Sequence, residues 1–480
     1  MTTAPMDAGT LATRVRSGET SALEVVSGCL ERIRGEALNA VVHRLEDHAL
    51  EQARRVDRHL AAGEDPGPLA GVPLLVKENI CTRTGPTCCG SALLEGYVAP
   101  YDATAVERLE AAGAVMVGKT NCDEFGMGSS GETSCHGPVL HPQDPGRVPG
   151  GSSSGSAAAV AAGLAPVALG TDTGGSVRQP AALCGVIGLK PTWGRISRWG
   201  LVAFASSLDQ IGPLCRTVAD AALLLEVMGG PDPRDGSQPR PQPPMKTLGA
   251  LPERGLRVGR IRLEAGEDLH PRVAQALDLA GEAFERDGAR VEEVDLPLAR
   301  ETLAIYTLIA NAEASSNLAR FDGLRYGRQA EIRGGWDRVL AASRGAFFGR
   351  EVKRRIMLGA CVLSGGYRRH LYARAQDLRR ELTRSLDALL ERVDLLLGPT
   401  APAPAFRFGE KLDDPLEMYR QDRFTLPASL GGHPAISLPA PRQPAELPVA
   451  VQLVGGRFRE DLLLAGARLL EHHGFGAGAC

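Results

Sequence analysis

Apolar and polar positions along the chain follow two periods, one typical of helices and one typical of strands. Residues 21–33 repeat apolar side chains every three or four positions, and Ser21 stands three residues before Glu24, the pattern of a helix capping box. Helical spacing continues through residues 39–60. Residues 63–228 then alternate short apolar runs with helical segments. This alternation predicts an α/β fold whose sheet is largely parallel and covered on both faces.

The same pattern predicts the individual elements. The predicted strands are residues 72–76, 114–117, 166–169, 186–189, 256–261, 290–294, 393–397, 435–438 and 448–454. The predicted helices outside the N-terminal segment are residues 104–112, 156–162, 218–228, 272–284 and 459–471.

The 480 residues are predicted to form a single domain. Residues 1–65 are predicted to be an N-terminal helical region. Residues 229–247 are rich in proline, glycine and charge, so we expect a surface loop. Residues 300–392 are predicted to be a helical insertion. Strand signals resume on both sides of that insertion and can complete the same sheet.

Composition narrows the class of protein. With 43% hydrophobic and 23% charged residues, the chain is typical of a globular enzyme rather than a coiled coil or a disordered chain. The formal net charge is −3 and no block of lysine and arginine stands out, which argues against nucleic-acid binding by this chain alone. Ten scattered cysteines without paired CxxC spacing predict no structural metal. Residues 1–11 lack the features of a secretory signal and no apolar run has membrane-spanning length, so a cytoplasmic protein is expected.

Two glycine-rich segments match phosphate-binding patterns by letter. Residues 113–120 fit the P-loop pattern, but their middle positions are strand-like and a helix precedes them. Residues 126–131 fit the dinucleotide fingerprint, but no strand leads in and no long helix follows. We therefore expect neither to bind phosphate, and ATP binding through Gly118, Lys119 and Thr120 is kept only as a distant alternative.

A third match is the nucleophile elbow Gly-x-Ser-x-Gly at residues 151–155, centred on Ser153. The elbow needs a strand directly upstream, whereas residues 143–149 are typical of a loop. His433 lies downstream and could serve a serine hydrolase, so this alternative stays open.

Lys77, Ser152 and Ser176 form another candidate constellation. A serine hydroxyl needs a base to become a nucleophile, and a buried neutral lysine can supply one. Lys77 ends an apolar strand, where active sites of open α/β sheets gather. Ser176 follows two glycines, whose amide groups could stabilise an oxyanion, and Ser152 could relay a proton. Each residue alone also fits a structural role, the lysine at a surface strand end and the serines as helix caps.

These residues carry a resemblance to the amidase signature family. The resemblance rests on Gly-Gly-Ser-Ser at residues 150–153, the run at residues 174–181, and the spacing among Lys77, Ser152 and Ser176. It implies a single α/β domain with a mixed, twisted central sheet covered by helices on both faces. It also implies that Ser176 is the acyl-forming nucleophile, that Ser152 bridges through a cis peptide, and that Lys77 is the base. The oxyanion hole is implied to comprise the backbone amides of Thr173, Gly174, Gly175 and Ser176.

Further motifs, spanning about residues 8–471, resemble the ammonia-generating subunits of tRNA-dependent amidotransferases within that family. They lie at residues 94–97, 100–104, 118–121, 201–210, 320–323, 351–356 and 408–415. The resemblance implies that the chain releases ammonia from glutamine inside a heterotrimeric carbon–nitrogen ligase. A B subunit would use ATP and Mg²⁺ to activate the carboxylate of misacylated Glu-tRNA(Gln) or Asp-tRNA(Asn), and a small C subunit would clamp the pair. This chain would itself need no cofactor, no metal and no membrane.

The resemblance also implies a glutamine pocket. Arg355 would pair with the substrate carboxylate, Asp422 with its ammonium group, and Tyr306 would line the site. Glu78 follows Lys77 where these subunits usually have aspartate. Two other functions stay open: a free-standing amidase acting on another small amide, and a catalytically silent scaffold for partner subunits.

Overall fold

The structure is a computed structural model that describes residues 6–245, 255–263, 269–332, 334–366 and 368–477. Residues 1–5 of the N-terminal segment and residues 246 and 247 of the predicted loop lie outside the described residues. Within these ranges the backbone forms eleven β-strands and fifteen α-helices.

The strands make one sheet. They are β1 Val41–Arg44, β2 Pro73–Lys77, β3 Val115–Thr120, β4 Val167–Asp172, β5 Ile187–Lys190, β6 Gln210–Cys215, β7 Arg257–Ile261, β8 Arg290–Val294, β9 Leu395–Pro399, β10 Ala435–Pro439 and β11 Ala450–Gly455. Their order across the sheet is β1-β3-β2-β4-β6-β5-β10-β11-β9-β7-β8.

Helices flank this sheet. They are α1 Ala8–Arg16, α2 Ala22–Arg34, α3 Glu46–Ala61, α4 Thr104–Ala111, α5 Ser154–Ala161, α6 Arg178–Cys184, α7 Val218–Met228, α8 Pro271–Arg286, α9 Thr302–Asn317, α10 Trp336–Phe347, α11 Arg350–Leu363, α12 Ala373–Arg392, α13 Pro415–Tyr419, α14 Leu426–Gly431 and α15 Glu460–His472. The predicted capping box forms, since Ser21 Oγ accepts from the Glu24 amide and the Glu24 carboxylate accepts from the Ser21 amide. Among the helices of the described ranges, none combines the length and apolar character needed to cross a membrane.

Most predicted elements are present within a few residues, but two expectations are wrong. Residues 41–44 lie in a segment predicted to be helical and instead form β1, which pairs with β3 at the edge of the sheet. The sheet is mixed rather than largely parallel, because six of its ten strand pairings are antiparallel. The sequence pattern did not predict strand β6 or helix α6.

The core lies on both faces of the sheet. Alternate residues of a strand point to opposite faces, and Leu74 and Val76 of β2 belong to one buried cluster while Leu75 belongs to another. Lys77 follows this alternation and lies on the face of Leu75, against which helices α2, α3 and α5 pack. The strand pattern therefore directs a lysine side chain into the interior.

Two neighbouring parallel strands define where the chemistry gathers. Strands β2 and β4 pair in parallel, with Val76 opposite Leu169, so their carboxyl ends meet at one edge of the sheet. Lys77 ends β2, and the turn at residues 173–177 follows β4. The fold thereby brings together two segments almost a hundred residues apart in sequence.

We predict that Arg195→Met destabilises the fold strongly. The Arg195 and Glu460 side chains are each 1% exposed and 3.1 Å apart, and they tie the segment between β5 and β6 to the start of α15. Removing the guanidinium leaves a buried carboxylate unpaired, which costs about 3–5 kcal/mol of unfolding free energy. Urea-induced unfolding measures this loss.

The matched control is Arg262→Met. Arg262 is 53% exposed and pairs with Glu293 and Asp295 on the surface. Solvent-exposed pairs contribute below about 1 kcal/mol. Equal losses in the two variants would contradict a special role for the buried pair.

Candidate active site

The Lys77 side chain ends in a pocket of hydroxyl groups. Its Nζ lies 2.8 Å from Ser152 Oγ, 3.0 Å from Ser153 Oγ and 2.9 Å from Thr171 Oγ1. The whole residue is buried. Burial, the largest effect, lowers the pKa of Lys77 to about 8, because an ammonium group is costly to remove from water. A neutral fraction of about one tenth is therefore present at pH 7.

The hydroxyl groups around Lys77 differ in the acceptors available to their hydrogens. Ser153 Oγ donates to the Thr171 carbonyl at 3.3 Å and also accepts from the Thr171 amide at 3.2 Å. Its hydrogen is therefore directed away from the lysine. Ser152 Oγ has only Lys77 Nζ as a hydrogen-bond partner among the described residues. Ser152 is thus the hydroxyl best able to give its hydrogen to a neutral Lys77 amine.

The two serines precede helix α5 and are fixed by the backbone. The peptide between Gly151 and Ser152 is cis, as the family resemblance implies. The Ser153 amide donates to the Ser176 carbonyl at 3.2 Å, which joins the two serine-bearing segments. The elbow alternative centred on Ser153 lacks its histidine, because His433 Nε2 contacts Asp387 Oδ1 at 3.0 Å instead.

The turn that carries Ser176 rests on a buried ion pair. Arg178 Nε and Nη2 each lie 2.9 Å from the Asp172 carboxylate, and both side chains are fully buried. Two parallel hydrogen bonds give this contact a fixed geometry. Gly175 has φ +146°, and a Cβ there would lie 2.2 Å from Thr425 Oγ1. Glycine is therefore required at position 175, directly before Ser176.

The amide groups of this turn remain available. In the described part of the chain, the backbone N–H groups of Gly174, Gly175 and Ser176 have no intramolecular acceptor. Thr173 is anchored by its hydroxyl, which donates to Asp209 Oδ1 at 2.7 Å. Preorganised, unpaired amides beside a serine are what an oxyanion hole needs.

Ser176 opens onto a narrow cavity. Ser176 retains 8% exposure, whereas Ser152 retains 1%, so Ser176 is the serine that a substrate can reach. The cavity is lined by Gly126, Gly128, Ser129, Ser176, Leu303, Tyr306, Thr307, Asn311, Arg355, Tyr419, Asp422 and Leu426. All three residues implied as a glutamine pocket are therefore on its wall.

A guanidinium and a carboxyl group face this cavity. Arg355 Nε donates to Glu351 Oε1 at 2.7 Å, and its terminal NH groups have no acceptor among the described residues. Asp422 accepts from the Ser129 hydroxyl through one oxygen, while its buried Oδ1 has no partner within the same ranges. Burial raises the pKa of Asp422 to about 7. The cavity therefore offers donors for a carboxylate and an acceptor for a cation.

Some residues of the site had not been predicted. Thr171 lies inside β4 and has no local motif. Glu351 had a usable signal, because it stands four residues before Arg355 on a helix, a spacing that places both on one face. Gly126 and Gly128, treated as plain loop, line the cavity. Lys119 is buried in β3 and donates to the Ile80 carbonyl at 2.6 Å, so the P-loop-like segment is a strand.

A buried lysine, two serines on linked segments and free amides beside a cavity define a serine-type amide hydrolase. The chain belongs to the amidase family, whose sequence profile matches residues 24–464. The glutamyl-tRNA(Gln) amidotransferase A chain of Symbiobacterium thermophilum is 50% identical over 465 residues, with 95% of each chain covered.

Solved structures agree with this assignment. The glutamyl-tRNA(Gln) amidotransferase A chain of Thermotoga maritima has a TM-score of 0.72 at 39% identity, covering 93% of this chain and 94% of that chain. Peptide amidase from Stenotrophomonas maltophilia has a TM-score of 0.80 at 30% identity, covering 98% and 97%. The predicted family and the α/β fold class with its mixed sheet are confirmed.

We predict that hydrolysis of a simple uncharged amide rises with pH and levels off above about 8. The pKa of Lys77 is lowered, so its neutral, proton-accepting form grows as pH rises through that value. The pH profile of kcat/KM measures this. Lys77→Arg should be inactive throughout, since its guanidinium stays protonated. A flat profile across this range in the unaltered chain would contradict the assignment of Lys77 as base.

Proposed function

We propose that this chain is the glutamine-hydrolysing subunit of a tRNA-dependent amidotransferase. The observation that carries the proposal is the buried Lys77–Ser152 contact of 2.8 Å beside a cavity that presents Ser176, Arg355 and Asp422. The curated relatives at about 50% identity bear the name of the A chain of glutamyl-tRNA(Gln) amidotransferase. Hydrolysis of the glutamine side-chain amide would supply the ammonia.

The proposed proton path begins at the lysine. A neutral Lys77 amine donates to Ser153 and Thr171 through its two hydrogens and accepts from Ser152 through its lone pair. Ser152 can then take the Ser176 proton as it passes its own to Lys77. This relay makes Ser176 nucleophilic while the lysine itself stays away from the substrate.

The proposed chemistry has two halves. Ser176 Oγ bonds to the side-chain amide carbon of glutamine, and the turn amides stabilise the negative oxygen. The C–N bond breaks as the relay returns a proton to nitrogen, which releases ammonia and leaves a γ-glutamyl ester on Ser176. Water then attacks the ester, loses its proton to the relay and releases glutamate, restoring the serine.

Recognition would use the two charges of the cavity. The Arg355 guanidinium would bind the α-carboxylate of glutamine through its terminal NH groups. The unpartnered Asp422 Oδ1 would accept from the α-ammonium group, which favours the ionised aspartate. Tyr306 packs against the catalytic turn, since a Cβ on Gly174 would lie 2.7 Å from its ring.

The remaining steps of the ligase would belong to other subunits. A B subunit would bind misacylated tRNA and use ATP and Mg²⁺ to activate its carboxylate, and a C subunit would complete a heterotrimer. The chain itself would work without a cofactor in the cytoplasm. Its formal charge of −3 suits a subunit that leaves tRNA binding to a partner.

We predict that Ser176→Ala abolishes glutamine-dependent transamidation by the assembled complex. Activity with added ammonium chloride should persist, because only the ammonia source is lost. Amide formation on misacylated tRNA, measured with each nitrogen donor, tests this directly.

Ser17→Ala, an exposed serine remote from the site, should leave both activities unchanged. Unaltered ammonia release by Ser176→Ala would instead support a catalytically silent scaffold. Vigorous turnover of unrelated amides by the purified chain, without partner subunits, would support a free-standing amidase.

We predict that Arg355→Gln raises KM for glutamine by about tenfold or more but leaves hydrolysis of an uncharged small amide nearly unchanged. A charge-assisted contact to a carboxylate contributes about 1.5–3 kcal/mol. Asp422→Asn should show the same selectivity, because only a substrate bearing an ammonium group loses a contact. Steady-state kinetics with the two substrates measure the difference.

Arg350→Gln is the matched control, since this side chain lies five residues earlier, at the start of α11, and is 76% exposed. It should leave both substrates unaffected. Parallel losses on both substrates in Arg355→Gln would show a structural role for the arginine and contradict the proposed pocket.

A further inference from the structure

Next to Lys77, three chain segments bring polar groups to the buried carboxylate of a fourth. Glu78 is fully buried just beyond β2. His43 Nε2 of β1 lies 2.8 Å from its Oε1, and His136 Nε2 lies 3.0 Å from the same oxygen. The ligating atoms of His43, Glu78 and Cys88 all lie within 4.8 Å of one another. None of these side chains takes part in the proposed amide hydrolysis.

Histidines pair with the carboxylate of this cluster. Among the described residues, the ion-pair partners of Glu78 are these two imidazoles, and no lysine or arginine joins them. A buried carboxylate is costly unless a positive charge compensates it. A divalent cation bound by neutral imidazoles and a thiolate would supply that charge, just as a proton on one imidazole would.

We propose that His43 Nε2, His136 Nε2, the Glu78 carboxylate and Cys88 Sγ form a binding site for a zinc-class divalent cation. A set of two imidazoles, one carboxylate and one thiolate suits zinc rather than magnesium or calcium, which prefer oxygen ligands. Cys88 would bind as the thiolate, and its proton would leave to solvent. The site is separate from the catalytic serines.

A tetrahedral zinc site sets the spacing that the four ligand atoms must reach. Ligand atoms of a tetrahedral zinc site stand roughly 3.3–3.8 Å apart, given bonds of about 2.0–2.3 Å. The two histidine nitrogens now contact Glu78 more closely than that and would move outward. His136, which lies outside the set of ligand atoms within 4.8 Å of one another, would also have to approach the other ligands. The His43 and His136 side chains are 25% and 22% exposed, which gives both freedom to move and a route for the ion.

A supporting contact fixes the central ligand. The Gly90 amide donates to Glu78 Oε2 at 2.7 Å. Such hydrogen bonds to metal ligands orient them before the ion arrives. The Gly90 carbonyl also accepts from the Cys135 amide at 2.8 Å, which joins the Cys88 loop to the His136 loop.

A metal at this point would brace the wall of the active site. The His136 loop begins in the segment that includes Gly126 and Gly128 of the cavity. The ion would hold this loop against the end of β2, one residue beyond Lys77. We therefore assign the site a structural role and expect no metal involvement in the hydrolysis itself.

The cysteine spacing had predicted no structural metal, and the proposal departs from that expectation. The four ligands come from positions 43, 78, 88 and 136, each from a different segment. Spacing rules find sites whose ligands are close in sequence, whereas here the sheet and two loops assemble the set.

The test uses the full-length chain, stripped of metal with a chelator and titrated with zinc. We expect one zinc per chain by calorimetry and elemental analysis, together with a rise in Tm. Cobalt in place of zinc should give a thiolate-to-metal charge-transfer band. Cys88→Ser should abolish that band and weaken zinc binding by about tenfold or more, while His43→Gln weakens binding with the band retained.

Cys361→Ser removes an exposed cysteine elsewhere and should change neither property. Circular dichroism and residual hydrolysis of an uncharged amide identify the variants that fold. If Cys88→Ser misfolds, His43→Gln still provides the test, because His43 is partly exposed. Binding well below one zinc per chain, a cobalt spectrum without the thiolate band, or affinity unchanged in both variants would overturn the proposal. These readouts are independent of whether glutamine is the substrate.

Discussion

The active site depends on keeping the Lys77 amine out of water. In water this amine would be protonated and could accept nothing, but burial at the end of β2 lowers its pKa to about 8. Its immediate partners are three hydroxyls, which replace the hydrogen bonds of water without adding negative charge. A carboxylate in direct contact would instead stabilise the ammonium form. In the proposed mechanism, the choice of hydroxyl neighbours is therefore what allows Lys77 to act as a base.

The surrounding backbone joins the segment of Ser152 and Ser153, which contact this lysine, to the segment that carries Ser176. Parallel pairing of β2 and β4 sets the two strand ends side by side, and the segment leading into α5 presents Ser152 from the same face. Below the Ser176 turn, the buried Arg178–Asp172 pair holds the backbone so that amide groups stay free. A rigid, charged support is thus placed under the turn, while the catalytic contact itself is uncharged.

The proposed recognition of substrate relies on charged groups, whereas the proposed proton relay relies on uncharged ones. The cavity wall presents a guanidinium and an unpartnered carboxylate oxygen, groups that suit a substrate carrying both charges. The segment that includes Gly126 and Gly128 of this wall continues to His136, which contacts Glu78. The fold therefore places three different environments near the end of β2: the hydroxyl groups around Lys77, the charged groups of the cavity wall and the Glu78 cluster.

The sequence by itself determined the elements whose signals are local. The helix at Val218–Met228 and the strand at Arg290–Val294 have the predicted bounds, and the motifs around Lys77, Ser152 and Ser176 identify the family. Only the tertiary structure decided which segments are neighbours. Strand β1 is stabilised by pairing with β3, and its short apolar run carries no strand signal of its own. Long-range packing likewise brings Thr171 to Lys77. It also brings Asp422 to the cavity that Arg355 lines. Periodicity reports which side of an element is buried, but it does not report what that side is buried against.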